Sequence, residues 1–279
     1  MLQSYNNNMN RSSIKYVKEK LNNHKAKKRF GQNFLIDENI SKKIVDIASC
    51  KNIKTLEIGP GLGALSELLL LNSKSLDAFE IDKDLYDVLN NEIVDDRFKI
   101  YNVDFLDVDL SKYEKEPLNI VSNLPYYVTT PILFKLFNSK LDIKKITVMI
   151  QKEVASRLVA KPKTKDYNAL SVIVAYLFNV KYEFTVNKTS FFPAPDVSSA
   201  VVSFTYKVDR NYEYEAKLFE IIKNSFKMKR KTLYNNLKDF LNKDKIDEIY
   251  RQLNFKESIR AEELLLEDFI NIYNIVYED

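Results

Sequence analysis

The stretch KTLEIGPGLGAL, residues 54–65, decides the fold of this chain. The sequence has 279 residues and only four glycines, and Gly59, Gly61 and Gly63 occupy alternate positions in this stretch. Glycine is needed where φ is positive, or where another group approaches the backbone too closely for a Cβ atom. The stretch therefore predicts a turn that is unusually tight or that carries a bound molecule.

Strand-like and helix-like segments alternate outward from this turn. The short apolar runs are KTLEIG, SLDAFEI, FKIYNV, LNIVSNL and ITVMI, and the amphipathic segments between them are 62–72, 83–94 and 129–138. Such alternation predicts an α/β fold with a parallel, doubly wound, Rossmann-like sheet. After a helical stretch at 168–178, we expect VKYEFTV and SAVVSFTY to pair as antiparallel strands at one edge.

The two ends of the chain have different patterns. Residues 1–24 are polar and Asn-rich, which predicts a disordered or loosely helical stretch. After about residue 208 the apolar residues recur at i, i+3 and i+4, which predicts helices only. We therefore expect three parts: a basic polar extension at 1–26, an α/β domain at 27–207 and a small all-helical domain at 208–279.

Composition excludes several classes of site. His24 and Cys50 are the single histidine and the single cysteine, so we expect no zinc site, no other metal site and no disulfide framework. The N-terminus has no apolar signal segment, and no apolar run reaches the ~18 residues of a membrane span. These features predict a cytoplasmic protein that does not use a membrane.

Basic residues are concentrated in two places, although the net charge is only +4. Residues 1–35 carry eight basic side chains against Glu19, and residues 217–231 carry six against Glu220. Two dense clusters on a nearly neutral chain favour a polyanionic partner over scattered solvated lysines.

Acidic and amide residues end the strands that follow the glycine turn. Glu80 stands about 20 residues after the first glycine, where a carboxylate accepts hydrogen bonds from ribose hydroxyls. Asp104 follows the third strand and could accept an adenine amino group. On this evidence NAD and S-adenosylmethionine (SAM) are both compatible with the turn, while Asp82 and Asp84 are better explained as residues at a helix start.

The fourth strand ends in Asn123-Leu124-Pro125-Tyr126, and this motif completes a resemblance. The sequence resembles the KsgA/RsmA-type small-subunit rRNA adenine-N6,N6-dimethyltransferases. The resemblance extends from about residue 27 to residue 264 and rests on these segments: KRFGQNFLID (28–37), EIGPGLGALS (57–66), FEIDKDL (79–85), NLPYYVTTPI (123–132), FFPAPDVSSAVV (191–202) and KRKTLYNNL (229–237).

The resemblance implies a SAM-dependent enzyme that dimethylates two adjacent adenosines near the 3′ end of small-subunit rRNA during ribosome biogenesis. It implies a SAM-dependent methyltransferase domain at 27–207, a pre-ribosomal small subunit as partner, and a monomer. By position, the cofactor contacts fall on Asn33, Leu35, Gly59, Gly61, Glu80, Asp104 and Asn123. The expected RNA-binding residues are Lys28, Arg29, Lys229, Arg230 and Lys231.

The chemistry needs no histidine. The side-chain oxygen of Asn123 and the carbonyl of Leu124 can accept the two N–H bonds of an adenine amine, and so aim its lone pair at a methyl donor. An extruded base needs an aromatic face, for which Tyr126 is the predicted platform. Phe191 or Phe192, in the rigid FFPAP segment, is predicted to cover the other face, although a buried structural role also fits.

Three other functions compete with this interpretation. An Erm-type large-subunit rRNA methyltransferase would share fold and chemistry, but GPGLG, DVSSAVV and KRKTL favour the small-subunit type. A non-catalytic nucleic-acid-binding relative would not need Glu80, Asp104 and the N-L-P-Y motif. A NAD-dependent oxidoreductase is the weakest alternative, because the chain has no evident hydride-transfer residues.

Overall fold

The computed structural model of the chain describes residues 10–23, 32–207 and 209–278. The helices are α1 (Ile14–Asn23), α2 (Glu38–Ala48), α3 (Ser66–Asn72), α4 (Lys83–Glu92), α5 (Thr129–Phe137), α6 (Lys152–Leu158), α7 (Ala169–Leu177), α8 (Tyr212–Ser225), α9 (Leu233–Leu237), α10 (Lys243–Gln252) and α11 (Leu266–Tyr277). The strands are β1 (Phe34–Leu35), β2 (Lys54–Ile58), β3 (Ser75–Glu80), β4 (Phe98–Asn102), β5 (Leu118–Asn123), β6 (Ile143–Gln151), β7 (Phe178–Val186), β8 (Phe191–Phe192) and β9 (Ser199–Tyr206).

Seven of the strands form one sheet in the order β4-β3-β2-β5-β6-β9-β7. The five strands from β4 to β6 are parallel, and β9 runs antiparallel to β6. The predicted Rossmann-like sheet is therefore confirmed, as is the placement of β7 and β9 beside each other at one edge. The strand order reverses between β2 and β5, and in such sheets ligands bind in the crevice beyond the carboxyl ends of these strands.

Helices α2 and α3 cover part of this sheet with aliphatic side chains. Ile44 and Val45 of α2 and Leu69 of α3 share one buried cluster with Val121 of β5 and Met149 of β6. Burial of such side chains contributes roughly 1.5–3 kcal/mol each, so this cluster holds the strand ends, and with them the turns that follow, in fixed places.

The first helix of the sheet begins later than the sequence pattern predicts. The amphipathic pattern starts at residue 62, whereas α3 starts at Ser66. Gly61 and Gly63 have φ values of +62° and +84°, which a right-handed helix cannot contain. The turn therefore continues through Leu65 before the helix can begin.

The described residues form two compact units. The first consists of the residues up to Lys152 together with Lys181–Thr205, and the second of Glu153–Val180 together with the residues from Tyr206 onward. The second unit contains the C-terminal helices that the sequence predicts. It also takes in α7, so the predicted domain boundaries at 26 and 207 stay a prediction.

The N-terminal stretch at 1–24 was expected to be disordered or loosely helical, and its described part, residues 10–23, contains a helix with a packed face, while residues 1–9 and 24 lie outside the described residues. Residues 14–23 form α1, and Arg11, Tyr16 and Val17 are buried. The polar composition concealed an amphipathic face, because Tyr16 and Val17 pack against Phe34 and Leu85 of the same unit. Across the described ranges, no helix has both the length and the apolar composition that crossing a membrane requires.

Candidate active site at the sheet's switch point

A pocket lies at the carboxyl ends of the parallel strands, where the strand order reverses. Its walls come from the turns after β2, β3, β4 and β5, and from Gln32, Asn33 and Phe34. Each of the strand-end motifs in the sequence contributes to it. The pocket belongs entirely to the first compact unit.

The glycine turn forms one wall of the pocket through Gly59 and Gly61. The φ values of these two residues are +64° and +62°, so the turn requires glycine whatever lies on it. A Cβ atom on Gly61 would stand 3.4 Å from the ring of Phe34, which leaves no slack on that side. The turn is therefore both tight and open to the pocket, and the two explanations offered by the sequence apply together.

Glu80 is the buried acid of the pocket, with 4% of its surface exposed. Its Oε2 accepts a hydrogen bond from the Gly61 N–H at 3.0 Å, and its Oε1 accepts one from the Asp82 N–H at 2.9 Å. Burial raises the pKa of Glu80 to about 7, and these two backbone bonds oppose that rise. The two bonds thus fix the orientation of this carboxylate, which lines the pocket.

Asp104 lies in the same pocket, at the end of β4. Its Oδ1 accepts the Leu106 N–H at 2.9 Å and so starts a short 3-10 helix at Phe105–Asp107. Asp82 caps α4 by accepting the Asp84 N–H, as the sequence predicts. Asp104 therefore lines the pocket and also starts a 3-10 helix, whereas Asp82 caps α4.

The N-L-P-Y turn faces the glycine turn across the switch point. Asn123 Nδ2 donates to the Asn33 carbonyl at 3.4 Å. This bond does not involve the side-chain oxygen, Oδ1. The ring of Pro125 lies 3.7 Å from the place that a Cβ of Gly59 would occupy. Leu124 is buried, and its N–H donates to the Met149 carbonyl at 3.0 Å, which fixes the turn to β6.

Two tyrosines extend the pocket beyond this turn. The Tyr126 hydroxyl shares a hydrogen bond of 2.7 Å with the Ser199 hydroxyl, which ties the N-L-P-Y motif to DVSSAVV. Tyr127 is 53% exposed and lines the same pocket. Burial raises the pKa of Tyr127, and the charges of Asp104 and Glu80 raise it further, which indicates that its hydroxyl lies on the acidic side of the pocket.

The GQNFL segment joins motifs that are distant in the chain. Gln32 donates to the Asp82 carboxylate at 2.7 Å. In the two-stranded sheet of β1 and β8, Phe34 pairs with Phe192 and Leu35 pairs with Phe191. Three remote segments therefore meet beside the pocket.

Most of the predicted site residues come together here. The ones that line the pocket are Asn33, Gly59, Gly61, Glu80, Asp104, Asn123, Leu124, Pro125 and Tyr126. Leu35 does not line it, because its side chain is buried in the core, and Phe192 stands behind Phe34 on β8. The roles of all these residues stay predictions.

The predicted RNA-binding residues fall into two groups. Lys229, Arg230 and Lys231 are exposed in the turn between α8 and α9, in the second unit. Lys28 and Arg29 lie outside the described residues. Lys229 and Lys231 also line a second pocket within the second unit, which the exposed Arg230 does not line.

Several residues that line the pocket were not predicted from the sequence, among them Gln32, Phe34 and Tyr127. Gln32 and Phe34 stand on either side of the predicted Asn33, and Tyr127 follows the predicted Tyr126. The doubled tyrosine of NLPYY was a visible signal. The role of Phe34 depends on its contact with Gly61, which no spacing in the sequence reveals.

Curated proteins with similar sequences cover nearly the whole chain. The Ribosomal RNA small subunit methyltransferase A of Mesomycoplasma hyopneumoniae (strain 232) is 43% identical over 254 residues, which are 91% of this chain and 97% of that protein. The protein of the same name from Mycoplasmopsis pulmonis (strain UAB CTIP) is 41% identical over 249 residues, or 89% of this chain and 98% of that protein.

Solved structures share the fold at lower identity. A dimethyladenosine transferase from Plasmodium falciparum superposes with a TM-score of 0.73 at 24% identity, covering 85% of this chain and 95% of that one. The 23S rRNA methyltransferase ErmE gives 0.64 at 21% identity, covering 87% and 99%. The family described as ribosomal RNA adenine dimethylase matches residues 23–278. With its strand-end motifs assembled around one pocket, the chain belongs to the ribosomal RNA adenine dimethylase family.

Proposed function

We propose that the protein transfers methyl groups from SAM to the N6 amines of two adjacent adenosines near the 3′ end of small-subunit rRNA. The observation that carries this proposal is the placement of the Asn123–Tyr126 turn against Gly59, in a pocket that also contains Glu80 and Asp104. The names of the relatives at 41% and 43% identity support the small subunit as the substrate.

The pocket fits SAM in its donor and acceptor groups. Glu80 would accept the ribose hydroxyls, and Asp104 would accept the adenine amino group. Gly59 and Gly61 lack side chains where the pocket meets the turn, so a ligand can approach their backbone directly. When bound, SAM supplies a methyl group on a positively charged sulfur.

The protein's part in the reaction is to orient the amine. The lone pair of an adenine N6 is delocalised into the purine ring, so the nitrogen must move toward sp³ geometry to act as a nucleophile. In the first transfer Asn123 Oδ1 and the Leu124 carbonyl would each accept one N–H of the amine and direct its lone pair toward the methyl donor. In the second transfer the one remaining N–H would bond to one of these acceptors, and after each transfer a proton leaves N6. Fixed acceptors of this kind lower a barrier without needing a strong base.

Aromatic side chains would hold the extruded base. Tyr126 offers a ring face whose position is fixed by the bond between its hydroxyl and Ser199. Stacking of a base on an aromatic ring contributes about 1–3 kcal/mol, enough to offset part of the cost of unstacking. Phe192, which was predicted to cover the other face, does not line the pocket and could act only through Phe34, its partner across β1 and β8.

The exposed cations Lys229, Arg230 and Lys231 would bind rRNA phosphates, and we assign the same role to Lys28 and Arg29. The protein would act as a cytoplasmic monomer on a pre-ribosomal small subunit. Lys229, Arg230 and Lys231 do not line the methyl-transfer pocket, which supports a separation between RNA affinity and chemistry.

The proposal can be tested by single-turnover transfer of tritiated methyl groups to immature small subunits, at saturating SAM and RNA. Asn123→Ala is expected to slow transfer by roughly 10²-fold or more, the usual cost of losing one transition-state hydrogen bond. Asn123→Asp keeps an acceptor oxygen and loses the bond to Asn33, so it should retain more activity than Asn123→Ala. Wild-type rates in Asn123→Ala would contradict the alignment mechanism.

The same assay separates the main alternative. An Erm-type enzyme would label unmethylated large subunits and leave small subunits unlabelled. A non-catalytic RNA-binding relative would bind small subunits without labelling them. Either result would contradict the proposed function.

A further inference from the structure

Arg11 lies in an acidic cage formed by parts of the chain far from it in sequence. It is 4% exposed, its Nε donates to Glu67 at 2.8 Å, and its Nη1 donates to Glu92 at 2.6 Å. The Tyr16 hydroxyl accepts from Arg11 Nη1 at 2.6 Å and donates to Glu92 at 2.8 Å. Lys20 forms a further ion pair with Glu92.

The cage joins the two helices that follow the cofactor-side turns. Glu67 is in the first turn of α3, directly after the glycine turn, and Glu92 is the last residue of α4, which follows Glu80 and Asp82. A buried ionic network with its hydrogen bonds made favours one arrangement of the groups that it joins. Arg11 therefore fixes the spacing between the helices behind the pocket.

The third glycine of the turn accommodates this segment. Gly63 does not line the pocket, and a Cβ atom on it would stand 3.0 Å from Cδ of Arg11 and 2.8 Å from Cδ2 of Leu89. The distance of 2.8 Å is shorter than real Cβ contacts, and that of 3.0 Å is tighter than nearly all of them. The absence of a side chain at Gly63 thus makes room for the stem of Arg11 beside α4.

The apolar face of α1 supports a wall of the pocket. Val17 is fully buried in a cluster with Phe34 and Leu85, and both of these residues line the pocket. The Lys18 ammonium lies 5.4 Å from the ring centre of Phe192, the partner of Phe34 across β1 and β8. One short helix thus contacts both the cofactor side and the predicted base side of the site.

We propose that the buried face of residues 10–23, formed by Arg11, Tyr16 and Val17, supports the methyl-transfer site and that Arg11 is a positioning residue for cofactor binding. It acts through Glu67, Glu92 and the packing of α1 on Phe34, and it touches neither ligand. Most of this segment precedes residue 23, where the family match begins. The inference rests on the proposed function for the identity of the cofactor.

The test is calorimetric titration of the full chain with SAM, together with KM values for SAM and for small subunits. Arg11→Ala is expected to weaken SAM binding about tenfold, because small displacements of a binding wall have effects of that order. Its KM for small subunits should stay at the wild-type value. Arg11→Lys keeps one charge for the cage and should restore part of the affinity.

The matched control is Lys15→Ala, on the exposed face of the same helix, which should bind SAM as the wild type does. Should Arg11→Ala fail to fold, Tyr16→Phe removes only the hydroxyl between Arg11 and Glu92, and we expect it to weaken SAM binding roughly twofold to threefold. Wild-type SAM affinity in both Arg11→Lys and Tyr16→Phe would overturn the inference. Failure of the wild-type protein to bind SAM would instead overturn the proposed function.

Discussion

The two basic segments of the chain, residues 10–23 and the turn at 227–231, differ in the exposure of their cations. Arg11 is buried and bound to acids that are 56 and 81 residues away in the sequence. Lys229, Arg230 and Lys231 are exposed to solvent. A dense run of cations in a sequence therefore does not show whether its counter-charge belongs to a partner or to the same chain.

The exposed turn is nevertheless well ordered in its backbone. Asn236 is buried and holds the turn at Met228, accepting from its N–H at 2.8 Å and donating to its carbonyl at 3.2 Å. The Lys231 N–H donates to the Met228 carbonyl at 3.1 Å. These bonds hold the backbone of the turn, while Lys229 Nζ donates to the Lys165 carbonyl at 3.4 Å and Lys227 forms an ion pair with Asp239 at 3.5 Å. Both bonds are exposed at the surface, where an external anion can compete for the cations.

The two segments should differ most in how much a lost charge reduces the free energy of unfolding. Glu92→Ala leaves Arg11 buried with Glu67 as its remaining acidic partner, and we expect a loss of about 2–3 kcal/mol in the free energy of unfolding. Lys231→Ala should change it by no more than about 0.5 kcal/mol. Urea denaturation measures both, and equal effects would break the distinction between buried and exposed charge.

For binding to small subunits we expect the opposite: variants of the exposed turn should have the larger effect. That effect on the binding free energy should be smaller than the effect of Glu92→Ala on stability. Lys229→Ala combined with Lys231→Ala is expected to weaken binding by about 1–2 kcal/mol and to lower the salt slope by about 1.5, as two lost phosphate contacts would. Lys15→Ala, on the exposed face of α1, is the control and should leave the slope closer to the wild-type value. An unaltered slope in the double variant would contradict a phosphate-binding role for the turn.

Lowering the pH should reduce the stability that the acidic cage around Arg11 contributes, by less than either substitution effect above. Burial opposes ionisation of Glu92, but the hydrogen bonds from Lys20, Tyr16 and Arg11 outweigh it and lower the pKa of this carboxyl. Below about pH 4.5 the unfolded chain takes up a proton at this position before the folded protein does, so the stabilisation is present at neutral pH and lost on acidification.

Glu92→Gln is the variant that isolates this component. Its free energy of unfolding should fall less between pH 7 and pH 4 than that of the wild type, whereas Lys231→Ala should follow the wild-type dependence. Identical pH dependence in Glu92→Gln and wild type would show that the cage contributes nothing to acid sensitivity.

The pocket could be predicted from the sequence because its residues follow consecutive parallel strands. Glu80, Asp104 and Asn123 end β3, β4 and β5, and the carboxyl ends of parallel strands meet at one edge whatever the details of packing. The α/β fold follows from the same alternation of strands and helices.

Contacts between remote segments could not be predicted in the same way. The pairing of β1 with β8 and the bond from Gln32 to Asp82 depend on three-dimensional approach and leave no periodic pattern. The same holds for Arg11, whose charge indicated a polyanion partner until its acids were located. Gly63 belongs to the same turn as Gly59 and Gly61, but a Cβ atom there would meet Arg11 and Leu89, which no spacing in the sequence reveals.

The packing of α1 behind Phe34 has a consequence for any compound that would occupy this pocket. Such a compound would contact Phe34 and Leu85, which pack against Tyr16 and Val17. A change at Tyr16 or Val17 would therefore alter the affinity of the compound through residues that it never touches.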